Sequence, residues 1–187
     1  MREIIFHGRG GQGAVIASKI LAKALFYEGL YAQAFPTFGA ERRGAPVAAF
    51  VRAAAEPITV RSRITTPDFV VVMAARLLET APVTAGLRKN GLLLLNSHHP
   101  IAELPLEGVP SGVRRVSLDC NRIALAHGLG SEIMPLINAP ILGALARLSG
   151  LVSCENLLRA LPDFIPVKIE ENHAALEAAW EQAEGEC

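Results

Sequence analysis

The first 120 residues alternate between short apolar runs and segments with helical spacing of apolar positions. The first run, Ile4-Ile5-Phe6, stops at Gly8, and the run Phe69–Met73 is introduced by Pro67-Asp68. Continuous Val, Ile and Leu runs of this length are typical of strands buried on both faces of a parallel sheet. The pattern predicts seven strands: Glu3–His7, Leu30–Phe35, Val47–Arg52, Ile58–Arg61, Phe69–Met73, Leu92–Asn96 and Val113–Leu118.

Helical spacing separates some of these strands and dominates the last third of the chain. Six helices are predicted: Ala14–Glu28 with Gly29 as its C-cap, a weak Leu77–Leu87, one from Asp119 to His127, Asn138–Leu148, Ser153–Leu161 and Glu170–Glu184. In the last helix Leu176, Trp180 and Ala183 form an apolar stripe that we expect to dock on the domain. The alternation predicts an α/β fold. It is a single three-layer domain over residues 1–187, with a mainly parallel sheet, a Rossmann-like glycine loop after the first strand and a helical C-terminal part.

The amino-acid composition is rich in hydrophobic residues, and the formal net charge is zero. Hydrophobic residues make up 51% of the 187 positions, and 18 Lys+Arg balance 18 Asp+Glu. Balanced charge without a basic stripe argues against nucleic-acid binding. The apolar excess is explained equally well by a buried parallel sheet or by a surface covered by a partner chain.

Cysteine usage and the N-terminal sequence indicate a cytoplasmic protein. The three cysteines, Cys120, Cys154 and Cys187, form no C-x-x-C motif, so no zinc or iron–sulfur site is expected in this chain. The N-terminal apolar run is too short for a signal peptide, and no later run approaches a membrane span. We expect no membrane association.

The clearest chemical motif is the glycine loop Gly8-Arg9-Gly10-Gly11-Gln12-Gly13, which follows a predicted strand and opens a predicted helix. Its spacing matches G-x-G-x-x-G, in which glycines let backbone N–H groups approach an anion at a helix N-terminus. An acidic residue that would hold a ribose at the end of the second strand is absent, because Gln33-Ala34-Phe35-Pro36 stands there. The loop therefore predicts either an anion contact or a tight turn packed against another chain.

A second segment, Phe35-Pro36-Thr37-Phe38-Gly39-Ala40-Glu41-Arg42-Arg43-Gly44-Ala45-Pro46, is rich in turn formers and carries adjacent cations. Together with Phe6–Gly13 it strongly resembles the gamma subunit of pyruvate and related 2-oxoacid:ferredoxin oxidoreductases. The likeness continues through Ala139–Ala144 and Gly150–Ser153 and covers essentially the whole chain.

The resemblance implies a multi-chain enzyme that oxidatively decarboxylates a 2-oxoacid to acyl-CoA and CO2 and reduces ferredoxin. Pyruvate or a branched-chain 2-oxoacid is the expected substrate, and coenzyme A the co-substrate. Thiamine diphosphate, Mg and iron–sulfur clusters are expected in companion alpha, beta and delta-type chains. This chain is then mainly structural, with no catalytic residue and no metal site of its own.

Site residues follow as expectations. Phe38, Glu41, Arg42 and Arg43 are predicted to contact a partner chain, with a coenzyme A phosphate as the other candidate for the arginines. His98-His99 is interpreted as a surface pair, and His7 as a hydrogen-bonded structural residue or an anion contact. Two alternatives stay open: a free-standing NAD(P)- or FAD-binding oxidoreductase using Gly8–Gly13, and a 2-oxoglutarate-specific member of the same family.

Overall fold

The structure is a computed structural model that describes residues 1–36 and 45–184. Its main sheet has six strands in the order β2-β3-β1-β4-β5-β6. In chain order the strands are β1 (Arg2–Arg9), β2 (Tyr31–Pro36), β3 (Pro46–Ala54), β4 (Phe69–Val72), β5 (Leu92–Asn96) and β6 (Arg114–Leu118). Strands β1, β4, β5 and β6 run parallel, whereas β3 is antiparallel to both β1 and β2. The predicted α/β fold with a mainly parallel sheet is confirmed.

Six helices accompany the sheet within the described residues. They are α1 (Ala14–Tyr27), α2 (Leu77–Thr80), α3 (Cys120–Ala126), α4 (Asn138–Ser149), α5 (Cys154–Ala160) and α6 (Ile169–Glu184). Two predicted helix starts are confirmed by hydrogen bonds. The Asp119 carboxylate accepts from the Arg122 N–H at 2.9 Å, and the Ser153 hydroxyl accepts from the Asn156 N–H at 3.2 Å.

The two faces of the sheet are covered differently. The long helices pack on one face, around a large core that includes Ile4 and Phe6 of β1 and Leu94 of β5. The opposite face is covered by α2, a 3₁₀ turn at Ile101–Glu103 and irregular segments, and it holds two smaller apolar clusters. The alternation of strand residues between the two faces explains this division.

The C-terminal helix docks on the domain, as its apolar stripe predicts. Leu176 and Ala183 are buried, and Trp180 packs partly against the core. Helices α4 and α6 approach closely at Gly143, where a Cβ atom would collide with the Leu176 carbonyl oxygen. Glycine is therefore required at this crossing.

Two predicted elements need correction, and one observed element was missed. Ile58–Arg61 is not a strand: the Ile58 carbonyl accepts from the Gln33 side chain at 3.0 Å and the Val60 carbonyl from Arg52 at 3.4 Å, so no strand ladder pairs them. The helix predicted over Leu77–Leu87 ends at Thr80, since Pro82 lacks an N–H group. A small hairpin of β7 (Gly130–Ser131) and β8 (Met134–Pro135) was not predicted, because two-residue strands leave no periodicity to read.

A buried ionic cluster fastens the start of β1 to β3 and to the segment before β4. The Arg52 Nε atom lies 2.9 Å from Glu3 Oε1, and both side chains are buried. The backbone N–H of Glu3 donates to Asp68 Oδ2 at 2.8 Å, while Arg88 contacts Asp68 at 3.3 Å. The Arg52 guanidinium also donates to the Ser62 carbonyl at 2.6 Å. These bonds hold the irregular 57–63 segment against the sheet.

Candidate functional site at the carboxyl edge of the sheet

The strand order reverses next to β1. After β1 the chain crosses to β2 on one side, whereas β4 lies on the other side of β1. In open α/β sheets, ligands bind in the crevice outside the carboxyl ends of the strands at such a point. The topology therefore places the candidate site beyond the carboxyl ends of β1 and β4.

A cleft of about 760 Å³ lies at this position. It is lined by residues that follow four parallel strands and by the tip of the small hairpin. Its polar lining residues include Arg9, Gln12, Arg76, Asn96, His98 and Asn121. A pocket of this size is in the range that holds a small molecule or a protruding protein segment.

The glycine loop forms one wall of the cleft and is closed on itself. The Gln12 Oε1 atom accepts from the Arg9 N–H at 2.7 Å, and the Gln12 N–H donates to the Arg9 carbonyl at 2.9 Å. The Gly10 N–H donates to the Ala45 carbonyl at 2.9 Å. Three of the loop's backbone N–H groups are thus already paired within the chain, which leaves fewer of them for an anion.

A side chain at the start of α4 occupies part of the space at the N-terminal end of α1. Gly13, with φ of 78°, occupies the N-cap position, and the Asn138 side chain lies where a Cβ atom on Gly13 would stand. Asn138 is buried, and its Oδ1 atom has no hydrogen-bond partner in the structure. Glycine is needed at this position both for the positive φ and for the contact with Asn138.

Asn96, at the end of β5, organises the floor of the cleft. Its Nδ2 group donates to the Met73 carbonyl and to Asn121 Oδ1, each at 3.0 Å. Its Oδ1 atom accepts from the Cys120 N–H at 3.0 Å. One amide therefore links the carboxyl ends of β4 and β5 to the start of α3, where Asn121 is its side-chain partner.

The cleft carries charges of both signs near its mouth. Cationic and titratable groups are contributed by Arg9, Arg76, His98 and His99, and carboxylates by Glu79, Glu103 and Glu132. His99 Nδ1 lies 3.3 Å from Glu103 Oε2, and both histidines are exposed, as the sequence predicts. In the ranges 1–36 and 45–184, no group of three or more His, Cys, Asp or Glu side chains is placed to hold a metal ion.

His7 lies on the face of the sheet that the long helices do not cover. It is half-buried, and burial together with the nearby Arg63 guanidinium lowers the pKa of His7 to about 4. The imidazole is therefore neutral at physiological pH. Whether it contacts an anion stays a prediction.

The two described cysteines are held as neutral thiols. Cys120 is buried in the core, and burial raises the pKa of its thiol far above the usual range. Burial and the carboxylates of Glu177 and Glu181 also raise the pKa of Cys154. Neither thiol is therefore an activated nucleophile at neutral pH.

The sequence-predicted site residues have different outcomes. Gly8–Gly13 borders the cleft, but Phe38, Glu41, Arg42 and Arg43 lie outside the described residues. Sequence reasoning missed Arg76, Asn96, His98 and Asn138 as members or neighbours of the site. Arg76, Asn96 and His98 could have been found from their positions in the sequence. Each lies at or just after the end of a predicted parallel strand, and polar residues at such positions gather at one edge of the sheet.

Comparison with known families decides between the remaining possibilities. Residues 3–182 match the family model described as pyruvate ferredoxin/flavodoxin oxidoreductase. The chain belongs to this family. The resemblance read from the glycine loop and the Glu-Arg-Arg-Gly-Ala-Pro segment is confirmed.

Similar proteins match along nearly their full length. The chain is 46% identical over 186 residues to the pyruvate/ketoisovalerate oxidoreductases common subunit gamma of Pyrococcus abyssi, covering 98% of both chains. It is 44% identical to the pyruvate synthase subunit PorC of Methanocaldococcus jannaschii, covering 97% of both. The crystal structure of pyruvate oxidoreductase subunit PORC from Thermotoga maritima superposes with a TM-score of 0.80 at 35% identity. It covers 96% of this chain and 95% of that one.

These relatives are subunits of multi-chain oxidoreductases, so this chain is a subunit of an enzyme complex rather than a free-standing dehydrogenase. The NAD(P)- or FAD-binding alternative and the 2-oxoglutarate alternative find no support among them. Across the described ranges, no helix is both long and apolar enough to cross a bilayer.

Proposed function

We propose that this chain is the gamma subunit of an enzyme that oxidatively decarboxylates pyruvate or a branched-chain 2-oxoacid, forms acyl-CoA and CO2, and reduces ferredoxin. The observation that carries the proposal is the end-to-end match, at 44–46% identity, to proteins named as gamma and PorC subunits. The match covers 97–98% of this chain and of each of those two relatives.

The companion chains hold the reactive groups in this proposal. Thiamine diphosphate with Mg stabilises the carbanion formed on decarboxylation, and iron–sulfur clusters carry the electrons. Alpha, beta and delta-type chains and ferredoxin are the proposed partners.

The cleft at the carboxyl edge is the proposed contact with these partners. Three N–H groups of the glycine loop Gly8–Gly13 form internal bonds, and the side chains of Arg9 and Arg76 line the cleft as cationic donors. Mixed charges at the mouth suit a polar protein surface better than a polyphosphate, for which one sign of charge would be expected. Phe38, Glu41, Arg42 and Arg43 are further proposed partner contacts, with the phosphates of coenzyme A as the second candidate ligand of the arginines.

The contribution of this chain is therefore positional. Asn96 fixes the ends of β4 and β5, and Asn138 and Gly13 fix the ends of α4 and α1, so the residues bordering the cleft are held on rigid elements. A surface held in this way loses little conformational freedom when a partner binds. No step of bond making or breaking is assigned to this chain.

The test is a gentle purification from the native cell through a tag on this chain, followed by mass spectrometry and a visible absorption spectrum. We expect companion chains, brown iron–sulfur absorbance and thiamine diphosphate to co-purify. A colourless homo-oligomer that carries a bound nucleotide would overturn the proposal and make the glycine loop a nucleotide site.

A further inference from the structure

The face of the sheet opposite the long helices has a gap in its apolar cover. One cluster on this face gathers around Ile5, Phe50 and Ile64, and a second around Val72, Leu77 and Val83. His7 is the neighbour of Ala48, a member of the first cluster, in the β1–β3 register, and both residues line a cavity that also contacts Leu77 and Val83 of the second cluster. His7 is half-buried and lies two residues after Ile5, on the same face of β1.

At this gap there is a cavity of about 260 Å³. Its walls are mostly apolar and come from β3 and from the segment after α2. The apolar walls include Ala48, Leu77, Pro82 and Val83, and His7 and Arg63 contribute polar groups. The volume is below the roughly 300–1,000 Å³ of sites that take drug-sized ligands, which excludes a nucleotide and suits a few carbon atoms with one polar head.

The polar end of the cavity carries one positive charge. Arg63 is exposed to solvent, and its guanidinium carbon lies 5.7 Å from the centre of the Phe50 ring, a contact that holds it beside the cavity. The neutral His7 imidazole can donate a single N–H. A guanidinium with one additional donor matches a carboxylate, whereas a phosphate dianion would leave charge unbalanced beside apolar walls.

We propose that this cavity binds a small aliphatic monocarboxylate, with its carboxylate on Arg63 and His7 and its carbon chain against Leu77, Pro82 and Val83. The site is distinct from the cleft at the carboxyl edge and does not depend on the function proposed for the chain. Because Arg63 is exposed to solvent, a ligand bound to it can exchange without unfolding of the sheet.

The test is isothermal titration calorimetry of the purified full-length chain at pH 7 with isobutyrate, and with isobutyramide as its neutral isostere. We expect saturable binding of isobutyrate and at least about tenfold weaker binding of the amide, since a charge-assisted hydrogen bond is lost. Arg63→Gln should weaken isobutyrate binding by about tenfold or more on the same grounds. The matched control Arg61→Gln, which removes a cation from the same segment but not from the cavity, should change it by less than about twofold.

A second variant tests the apolar part of the site. Ala81→Leu adds carbon atoms to the cavity wall and should abolish isobutyrate binding while the circular dichroism spectrum and melting temperature stay close to those of the parent. The proposal is overturned if no saturable binding occurs, if the amide binds as well as the carboxylate, or if Arg63→Gln and Arg61→Gln have equal effects.

Discussion

The side-chain amide of Asn138, the first residue of α4, lies directly against Gly13 at the N-cap of α1. The contact joins the glycine loop to the helical layer beneath it. Any side chain at residue 13 would have to displace the amide and adopt a φ of 78°, which L residues rarely do. Two helix ends that border the candidate site are therefore fixed by one contact.

Gly13→Ala should lower the free energy of unfolding by about 2–4 kcal/mol, the sum of backbone strain and overpacking against Asn138. Urea denaturation followed by circular dichroism measures it. Gly11→Ala is the matched control, because Gly11 also has positive φ but a Cβ there meets no atom within 4 Å. It should cost only about 1–2 kcal/mol. Equal losses in the two variants would contradict the role given to Asn138.

Arg52→Met should destabilise the protein by about 3–5 kcal/mol, because it removes the nearest cation from the buried Glu3 carboxylate and leaves only the more distant Arg88, at 3.9 Å. Adding Glu3→Gln to Arg52→Met should recover part of the loss. Arg2→Ala serves as the control: Arg2 pairs with Asp68 at 3.5 Å but is largely exposed, so its removal should cost less than about 1 kcal/mol. If Arg52→Met proves as mild as Arg2→Ala, the ionic cluster does not stabilise the fold as described.

Glu28 gives a pH-dependent prediction. Its Oε1 atom accepts from the Ser153 hydroxyl, the Ser153 N–H and Asn156 Nδ2, and these hydrogen bonds lower the pKa of Glu28. A carboxylate with a lowered folded pKa stabilises the protein above its ordinary pKa and loses that contribution as the pH falls through the folded value.

Glu28→Gln should therefore be less stable than the parent by about 0.5–1 kcal/mol at pH 7, a modest figure because Glu28 is exposed to solvent. The difference should shrink as the pH falls below the ordinary glutamate range. Thermal melts between pH 3 and pH 7 measure it, with Glu56→Gln as an exposed control without such bonds. A difference between Glu28→Gln and the parent that does not depend on pH would show that the three hydrogen bonds do not favour the ionised carboxylate.

Arg42→Ala and Arg43→Ala test the partner contact predicted from the sequence. Each should reduce the fraction of this chain recovered in the assembled complex by about tenfold if a buried charge pair is lost, as size-exclusion chromatography measures. Lys19→Ala, on the exposed face of α1, should assemble normally. If both arginine variants assemble and keep the coenzyme A dependence of the parent complex, Arg42 and Arg43 contact neither a partner chain nor coenzyme A.

Much of this architecture could be predicted from the sequence, because hydrophobic periodicity and helix N-caps depend on residues that are close together in the chain. Ile4-Ile5-Phe6 and Leu92–Asn96 are continuous apolar runs, and Asp119 and Ser153 are standard N-cap residues that the structure confirms. The antiparallel insertion of β3 between β1 and β2 was not predictable from such patterns, since strand pairing is set by tertiary contacts.

The site was predicted only in part for a related reason. The glycine loop is a contiguous motif, so Gly8–Gly13 could be read directly. The approach of Asn138 to Gly13 and of His7 to Arg63 joins residues far apart in the chain, and nothing local distinguishes them. The prediction of a helix over Leu77–Leu87 was wrong beyond Thr80, because it gave a weak helical periodicity more weight than the helix-breaking Pro82.

The most direct test of the central claim is pyruvate- and coenzyme A-dependent reduction of ferredoxin by the complex reconstituted with and without this chain. We expect the complex lacking it to have little or no activity, the addition of the purified chain to restore it, and the chain alone to have none. Full activity without the chain, or turnover by the chain alone, would contradict its assignment as a required, noncatalytic subunit.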